Sequence, residues 1–347
     1  MNIAQVCTAH GFGHTTRQMA LARELSKRGH TTCLFSAAET LLRNEQFELD
    51  WHPMKSDVGL VQSDSLTIDL KATQNKLKDL CSAQNRSSMG KQFKDFDLVI
   101  VDASPIAMEA AHSQNIPVLA ITNFDWAWIY EHYGELSEWA ALFRSWQIKH
   151  DALYIPPGPG IFYFKSVTQA DMLCRTATPH ALPSVSILVS FGGFGLHQLE
   201  NILPQIDGVT WIFAPPNPAP QRADFSYIKN VPYRNLIAGA DIVLSKAGYG
   251  ICTETARSGC HVMLLSRSNF PEAKSLEQFV TNRGGIILPD RRSQPKVQRE
   301  LIRRAVLEIL QRPNPAALGC DGTIQTASLV EQYIGQSFKL NSLNDRV

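Results

Sequence analysis

Lys246-Ala247-Gly248-Tyr249-Gly250 joins a short apolar run, Asp241–Ser245, to a helix-forming stretch, Thr253–Ser258. Two glycines at that spacing let the backbone come close to a ligand. The helix opening behind them offers unpaired N–H groups and the positive end of its dipole, which favour a phosphate. Lys246 can add charge to the same place. The elements that must hold this turn are a buried strand before it, a helix ended by Gly259, and a second buried strand, His261–Leu265. The template recurs 144 positions earlier, where Asp97–Ala120, DLVIVDASPIAMEAAHSQNIPVLA, falls on it without a gap. A repeat this long predicts two similar α/β halves. Asp102 stands where the second half has Lys246, so the halves divide the chemistry.

The 347 residues suit two domains, each large enough for its own core. With 44% hydrophobic and 19% charged residues the profile is globular. A net charge of +1 lacks the basic surplus of a nucleic-acid binder. No run reaches the ~18–20 apolar residues of a membrane span, which leaves at most peripheral membrane contact. The opening MNIAQVCTAHG reads as strand and loop, not as a signal peptide. Seven cysteines, an odd number without a CxxC pair, predict reduced thiols and a cytoplasmic location.

In chain order, Asn2–Thr8 reads as a strand, His10–His14 as a tight loop, and Thr15–Arg28 as an amphipathic helix with Met19, Ala22 and Leu25 inward. A dinucleotide fingerprint is not met. Thr15 and Thr16 fall where its third glycine belongs, and no acidic residue ends the next strand, Leu34-Phe35-Ser36-Ala37. Asp57–Asp69 reads as a solvated connector and Gln74–Lys94 as a surface helix. Ile121–Tyr133, ITNFDWAWIYEHY, suits a core by composition, yet it follows the carboxyl end of a predicted parallel strand, where α/β sheets place ligands. Ile155–Gly160, IPPGPG, is the strongest linker signal. Phe191–Gly195 is the first glycine loop of the second half. Pro295–Gln311 reads as a helix with Val297, Leu301, Ala305 and Ile309 on one face, and Thr323–Ile334 as a last helix.

HGFGHTTRQMALARELSKRGH resembles the first loop and helix of the GT-B nucleotide-sugar glycosyltransferases. SFGGFG and SKAGYGICTETARSGC resemble their donor-binding loops. HGFGH, VQSDSLTID, TNFDWAWIY and SKAGYG also resemble, in the same order, the glycosyltransferase-like amino-terminal half of L-arabinokinases, from about residue 3 to 335. The resemblance implies an α/β GT-B fold, two Rossmann-like parallel-sheet domains facing across a cleft. It implies an acceptor-side domain over 1–160 and a nucleotide-sugar donor domain over 161–322, the helix at about 323–336 being free to pack back on the first. The kinase half of those enzymes has no counterpart here, so kinase activity is not implied. Loops of the form GxGHxxR occur also in a UDP-sugar hydrolase and in a cell-wall N-acetylglucosaminyltransferase.

Carried to these positions, the resemblance implies inverting, metal-independent transfer from a UDP-linked donor to an acceptor it does not identify. The nucleotide-sugar is a substrate and no cofactor is implied. His14 falls where such enzymes keep a general base, and Asp102 where they keep the carboxylate that orients it. His10 is the rival base or a phosphate contact, and Arg17 a phosphate contact or an ion pair. Gly13, Gly192, Gly193, Lys246, Gly248, Tyr249, Gly250 and Thr253 line the donor phosphates, and Glu254 holds the ribose hydroxyls. Asn123, Asp125, Trp126, Asn269 and Glu272 face sugar or acceptor. The usual Asp-Gln pair is missing near Asn269, so the sugar is not named. No Glu-x7-Glu pair occurs in the donor segment, which weighs against retention. A hydrolase or epimerase on the same fold, and a silent nucleotide-sugar sensor, stay open as alternatives.

Overall fold

The computed structural model describes residues 1–9, 12–64, 67–183, 185–191, 201–215, 222–267, 269–289, 294–319 and 322–344. It divides into two compact units, the first of residues 1–61, 69–174 and 320–347, the second of 62–68 and 175–319. The first unit begins with β1 (Asn2–Cys7), α1 (Phe12–Lys27), β2 (Thr31–Ser36), α2 (Glu39–Asn44) and β3 (Asp50–Pro53). β4 (Gln62–Asp64) and β5 (Thr67–Ile68) pair as a small antiparallel hairpin counted with the second unit. The first unit continues through α3 (Leu70–Leu80), α4 (Ala83–Lys91), β6 (Leu98–Asp102), α5 (Pro105–His112) and β7 (Val118–Thr122). It ends its sheet with α6 (Trp126–Glu131), α7 (Ser137–Gln147), β8 (Asp151–Tyr154) and β9 (Ser166–Gln169). Its parallel sheet runs β3-β2-β1-β6-β7-β8-β9.

The second unit contains β10 (Ser186–Ser190), β11 (Thr210–Phe213), β12 (Phe225–Tyr227), α8 (Tyr233–Gly239), β13 (Ile242–Lys246) and α9 (Tyr249–Ser258). β14 (His261–Leu265), α10 (Ala273–Asn282), β15 (Ile286–Leu288) and α11 (Pro295–Ile309) follow, and the sheet runs β12-β11-β10-β13-β14-β15. Both sheets reverse order at their first strand, the doubly wound Rossmann arrangement. The repeat seen in the sequence is β6-α5-β7 and β13-α9-β14, each lying next to the first strand of its own sheet. Its leading aspartates play one role twice. Asn2 N donates to Asp97 Oδ2 at 2.8 Å, and Ser186 N donates to Asp241 Oδ2 at 2.7 Å. Each carboxylate thus pins the register of a central strand pair. Runs such as LVIVD, VLAIT and HVMLL are buried along their whole length, as strands covered on both faces require.

α12 (Gly322–Asn344) belongs to the first unit. Arg28 donates to Ser328 Oγ and Glu331 Oε2, and Tyr333 Oη donates to the Val118 carbonyl. IPPGPG is a turn inside the first unit and not a linker. The Tyr154 hydroxyl donates to the Gly158 carbonyl, and a Cβ on Gly158 would meet the Asn123 carbonyl at 2.3 Å. The chain crosses between units at Val61–Gln62, Ile68–Asp69, Cys174–Arg175 and Gly319–Cys320. Three local expectations change. Residues 74–94 form two helices, because Ser82 caps a new one at Ala83. The 57–69 connector contains the hairpin. The buried face of α11 is Gln298, Ile302, Ala305, Val306 and Ile309, while Val297 is exposed, a rotation of about one residue.

Gly259 ends α9 at φ +72°, a left-handed position that costs a side chain about 1–2 kcal/mol. A Cβ there would also approach the Pro315 carbonyl at 2.8 Å, whereas at Gly29, φ +90°, it would meet open space. Gly259→Ala is therefore expected to lower the melting temperature more than Gly29→Ala. Equal losses in calorimetry would show that the Pro315 contact does not matter.

Candidate functional site

The carboxyl ends of β1 and β6 are in register, Cys7 opposite Asp102, and Thr8 N donates to the Asp102 carbonyl. α1 starts at Phe12, three residues earlier than the Thr15 expected after a loop ending at His14, so His14 sits in its first turn. The imidazole is thereby aimed at the neighbouring strand end. His14 Nδ1 lies 2.8 Å from Asp102 Oδ1, and its ring packs edge-on against Phe124. Arg17, one turn further, donates from Nε to Asp102 Oδ2 at 2.7 Å and from Nη2 to Oδ1 at 2.5 Å. Gln18 Nε2 adds a longer bond to Oδ2. Burial alone would raise the Asp102 carboxyl, but the Arg17 guanidinium and the His14 imidazole hold it down at about 2. It is therefore a carboxylate near neutral pH. A carboxylate at that distance selects the tautomer with hydrogen on Nδ1, and Nε2 is left with its lone pair. Arg17 Nη2 also lies 2.9 Å from His14 Nδ1 and would donate to it in the other tautomer, so it is the Asp102 carboxylate that favours the proton on Nδ1.

Asp57 lies behind this group, in the stretch expected to be solvated, and is fully buried. Its Oδ1 accepts from Ala9 N at 2.9 Å and its Oδ2 from the Trp126 indole at 3.1 Å. Burial pushes its carboxyl up to about 7, against hydrogen bonds from the Thr8 hydroxyl, Ala9 and Trp126. In the unfolded chain the same group titrates near 3.8, so folding takes up a proton between those values. Its contribution to stability is full below about 3.8 and fades as pH rises toward about 7. Relative to Asp57→Asn, the wild type is expected to lose on the order of a few kcal/mol between pH 4.5 and 7.5. Parallel stability–pH curves from urea unfolding would exclude this.

The aromatic stretch after β7 supplies core. Trp126 is 0% exposed and donates to Asp57, while Tyr130 donates to the Gly59 carbonyl. Trp126 therefore has no free face for an acceptor. Asn123 is buried, accepting from Arg17 Nη1 at 2.8 Å and donating to the Pro157 carbonyl at 3.3 Å. Asp125 caps α6 by accepting from Trp128 N, and also accepts from Phe162 N; burial raises its carboxyl to about 6. Phe162 is exposed, at 53%, beside Trp128.

In the second unit β10 and β13 end in register, Ser190 opposite Ser245, joined by the Ser245 hydroxyl donating to the Ser190 carbonyl. Gly248 is the extended N-cap of α9, and a Cβ on it would point into open space, so the backbone there is approachable. Tyr249 is buried, and the Thr253 hydroxyl bonds back to the Tyr249 carbonyl. Lys246 ends β13, Asn269 is exposed, and Glu272 is a buried residue at the start of α10. His10, Gly192 and Gly193 lie outside the described residues, while Gly13 accepts from the Thr16 hydroxyl. Glu254 is engaged by a residue the sequence did not single out. Arg175 donates from Nε to Oε1 at 2.6 Å and from Nη2 to Oε2 at 3.1 Å, and both side chains are buried. Seventy-nine positions separate the pair, so no local spacing announces it. Among the described residues no cluster of three or more His, Cys, Asp or Glu could hold a metal, and no helix is long and apolar enough to cross a membrane.

No family model matches the chain. It is 24% identical over 311 residues to an L-arabinokinase of Arabidopsis thaliana, a match covering 80% of this chain but only 29% of that protein. Among solved structures it is similar to the glycotransferase of kitacinnamycin, with TM-score 0.65, 17% identity, and 95% and 98% of the two chains covered. LpCGTa in complex with UDP superposes at TM-score 0.66, with 14% identity over 96% and 99%. Spinosyn rhamnosyltransferase SpnG complexed with thymidine diphosphate gives 0.58, with 12% identity over 95% and 94%. Two doubly wound α/β units, matched along almost the whole chain by such structures, give this protein the GT-B glycosyltransferase fold.

Proposed function

We propose that the chain is a metal-independent, inverting glycosyltransferase that takes a nucleotide diphosphate sugar, UDP-linked by preference, and acts in the cytoplasm. One observation carries this reading: His14 Nδ1 is 2.8 Å from an ionised, fully buried Asp102, with Nε2 left to accept a proton. Such a nitrogen deprotonates an acceptor hydroxyl as it attacks the anomeric carbon, and the nucleoside diphosphate leaves from the opposite face. The approachable backbone at Gly248 and the first turn of α9 offer N–H groups to the departing phosphates. Neighbours described with bound UDP and thymidine diphosphate support the donor class.

The test is a thermal-shift screen against UDP-, TDP-, GDP- and ADP-sugars, followed by a search for sugar transfer with the best donor. Ligand that binds the folded state raises the melting temperature. A shift with UDP-sugars, and transfer that requires an added acceptor, is the expected result. Release of UDP and free sugar without any acceptor would make the protein a hydrolase. No shift with any nucleotide-sugar would overturn the proposal.

A further inference from the structure

Of the two roles expected for Arg17, phosphate contact or ion pair, the structure shows the ion pair: it is 1% exposed and both carboxylate oxygens of Asp102 accept from it. Its third arm is fixed as well. Nη1 donates to Asn123 Oδ1 at 2.8 Å, and Asn123 Nδ2 donates in turn to the Pro157 carbonyl. Gly158 lets that turn close on Asn123, since a Cβ there would lie 3.0 Å from both its Cβ and its Nδ2. The carboxylate that His14 meets is thus oriented by a rigid planar fork, not by the imidazole alone.

We propose that Arg17, locked by Asn123, is the positioning residue of this site: it fixes Asp102 so that one oxygen faces His14 Nδ1 and the imidazole keeps a single tautomer. The inference rests on the proposed transfer reaction for its catalytic meaning and on geometry alone for its effect on His14. The other titratable groups beside Asp102 are Cys7 and Asp57, both buried and both favouring the neutral form there by burial. Arg17 is consequently the cation that keeps Asp102 ionised when His14 is neutral. A lysine cannot replace it, since one ammonium cannot span two carboxylate oxygens and the Asn123 amide together.

The experiment uses full-length protein labelled with 15N-histidine, in the wild type, Arg17→Lys and Asn123→Ser, with folding checked by circular dichroism. Wild-type His14 should show one neutral tautomer, protonated on Nδ1. Arg17→Lys should show a mixture, and Asn123→Ser a smaller change in the same direction. With a donor and acceptor in hand, Arg17→Lys should lower kcat by at least about tenfold, part of the 10²–10⁴ that proton transfer supplies. KM for the nucleotide-sugar should stay put, and the pH–rate profile should gain an acid limb as Asp102 titrates higher. Asn123→Ser leaves the guanidinium–carboxylate pair in place and carries the test if Arg17→Lys does not fold. Folded variants with the wild-type tautomer would overturn the inference. Shifted tautomers in the variants, with a wild type that turns over no nucleotide-sugar, would overturn the transfer reading and leave the positioning of His14 standing.

Discussion

His14→Ala is expected to lower sugar transfer by about 10²–10⁴-fold, the span that general-base assistance covers. UDP affinity should hardly change, because His14 is committed to Asp102 in the first unit, whereas Gly248 and α9 belong to the second. The variant is clean, since it leaves the bidentate Arg17–Asp102 pair intact. Asp102→Asn is not. An amide in place of the carboxylate turns one donor toward either Arg17 or His14, both of which already donate there. It should disturb the tautomer and also leave a buried guanidinium without its counter-charge, a change worth about 3–5 kcal/mol. Rates must therefore be compared on protein shown to be folded. Given folded protein, the losses from His14→Ala and Asp102→Asn should not add, because both act through one proton transfer. Turnover unchanged in folded His14→Ala would remove the base. Loss of UDP binding with residual chemistry intact would make His14 a phosphate ligand, and His10 the better candidate for the base.

What could be read from the sequence was whatever repeats or alternates. Buried strands announce themselves as apolar runs, and the β6-α5-β7 and β13-α9-β14 units share one template, so both halves of the fold were legible. The His14–Asp102 pair was legible because each stands at the end of a predicted strand or the loop beyond it. Partners that meet only through tertiary packing were not. Asp57 sits in a polar stretch whose composition says solvent, yet the chain carries it under Ala9 and Trp126. Arg175 lies in a loop without pattern, and nothing local links it to Glu254. Trp126 shows the converse error: a residue type and a strand-end position that suit a ligand were taken up by the core, because its N–H found a buried acceptor in Asp57.

A large stability effect is also expected at the Arg175–Glu254 pair. Both side chains are almost fully buried, and both carboxylate oxygens accept from the guanidinium. Arg175 is also the first residue of the longer segment of its unit, and that segment lies along α8. Thr178 N donates to Asn235 Oδ1, His180 N donates to the Asn235 carbonyl, and Gly239 leaves room for His180 where a Cβ would lie 2.0 Å from its carbonyl. Arg175→Met removes one partner and strands a buried carboxylate, so the second unit should lose about 3–5 kcal/mol. Glu254→Leu strands the guanidinium and should cost a similar amount. The double variant, Arg175→Met with Glu254→Leu, replaces the pair by apolar groups and should recover most of the loss, as buried ion pairs commonly do when both partners go. This cycle also separates stability from donor binding. If Glu254 holds the ribose hydroxyls, the refolded double variant should still bind UDP about 1–3 kcal/mol more weakly than wild type, the cost of a missing buried hydrogen-bond partner. Calorimetric UDP affinity equal to wild type in the stable double variant would confine Glu254 to anchoring the entry of the chain into the second unit.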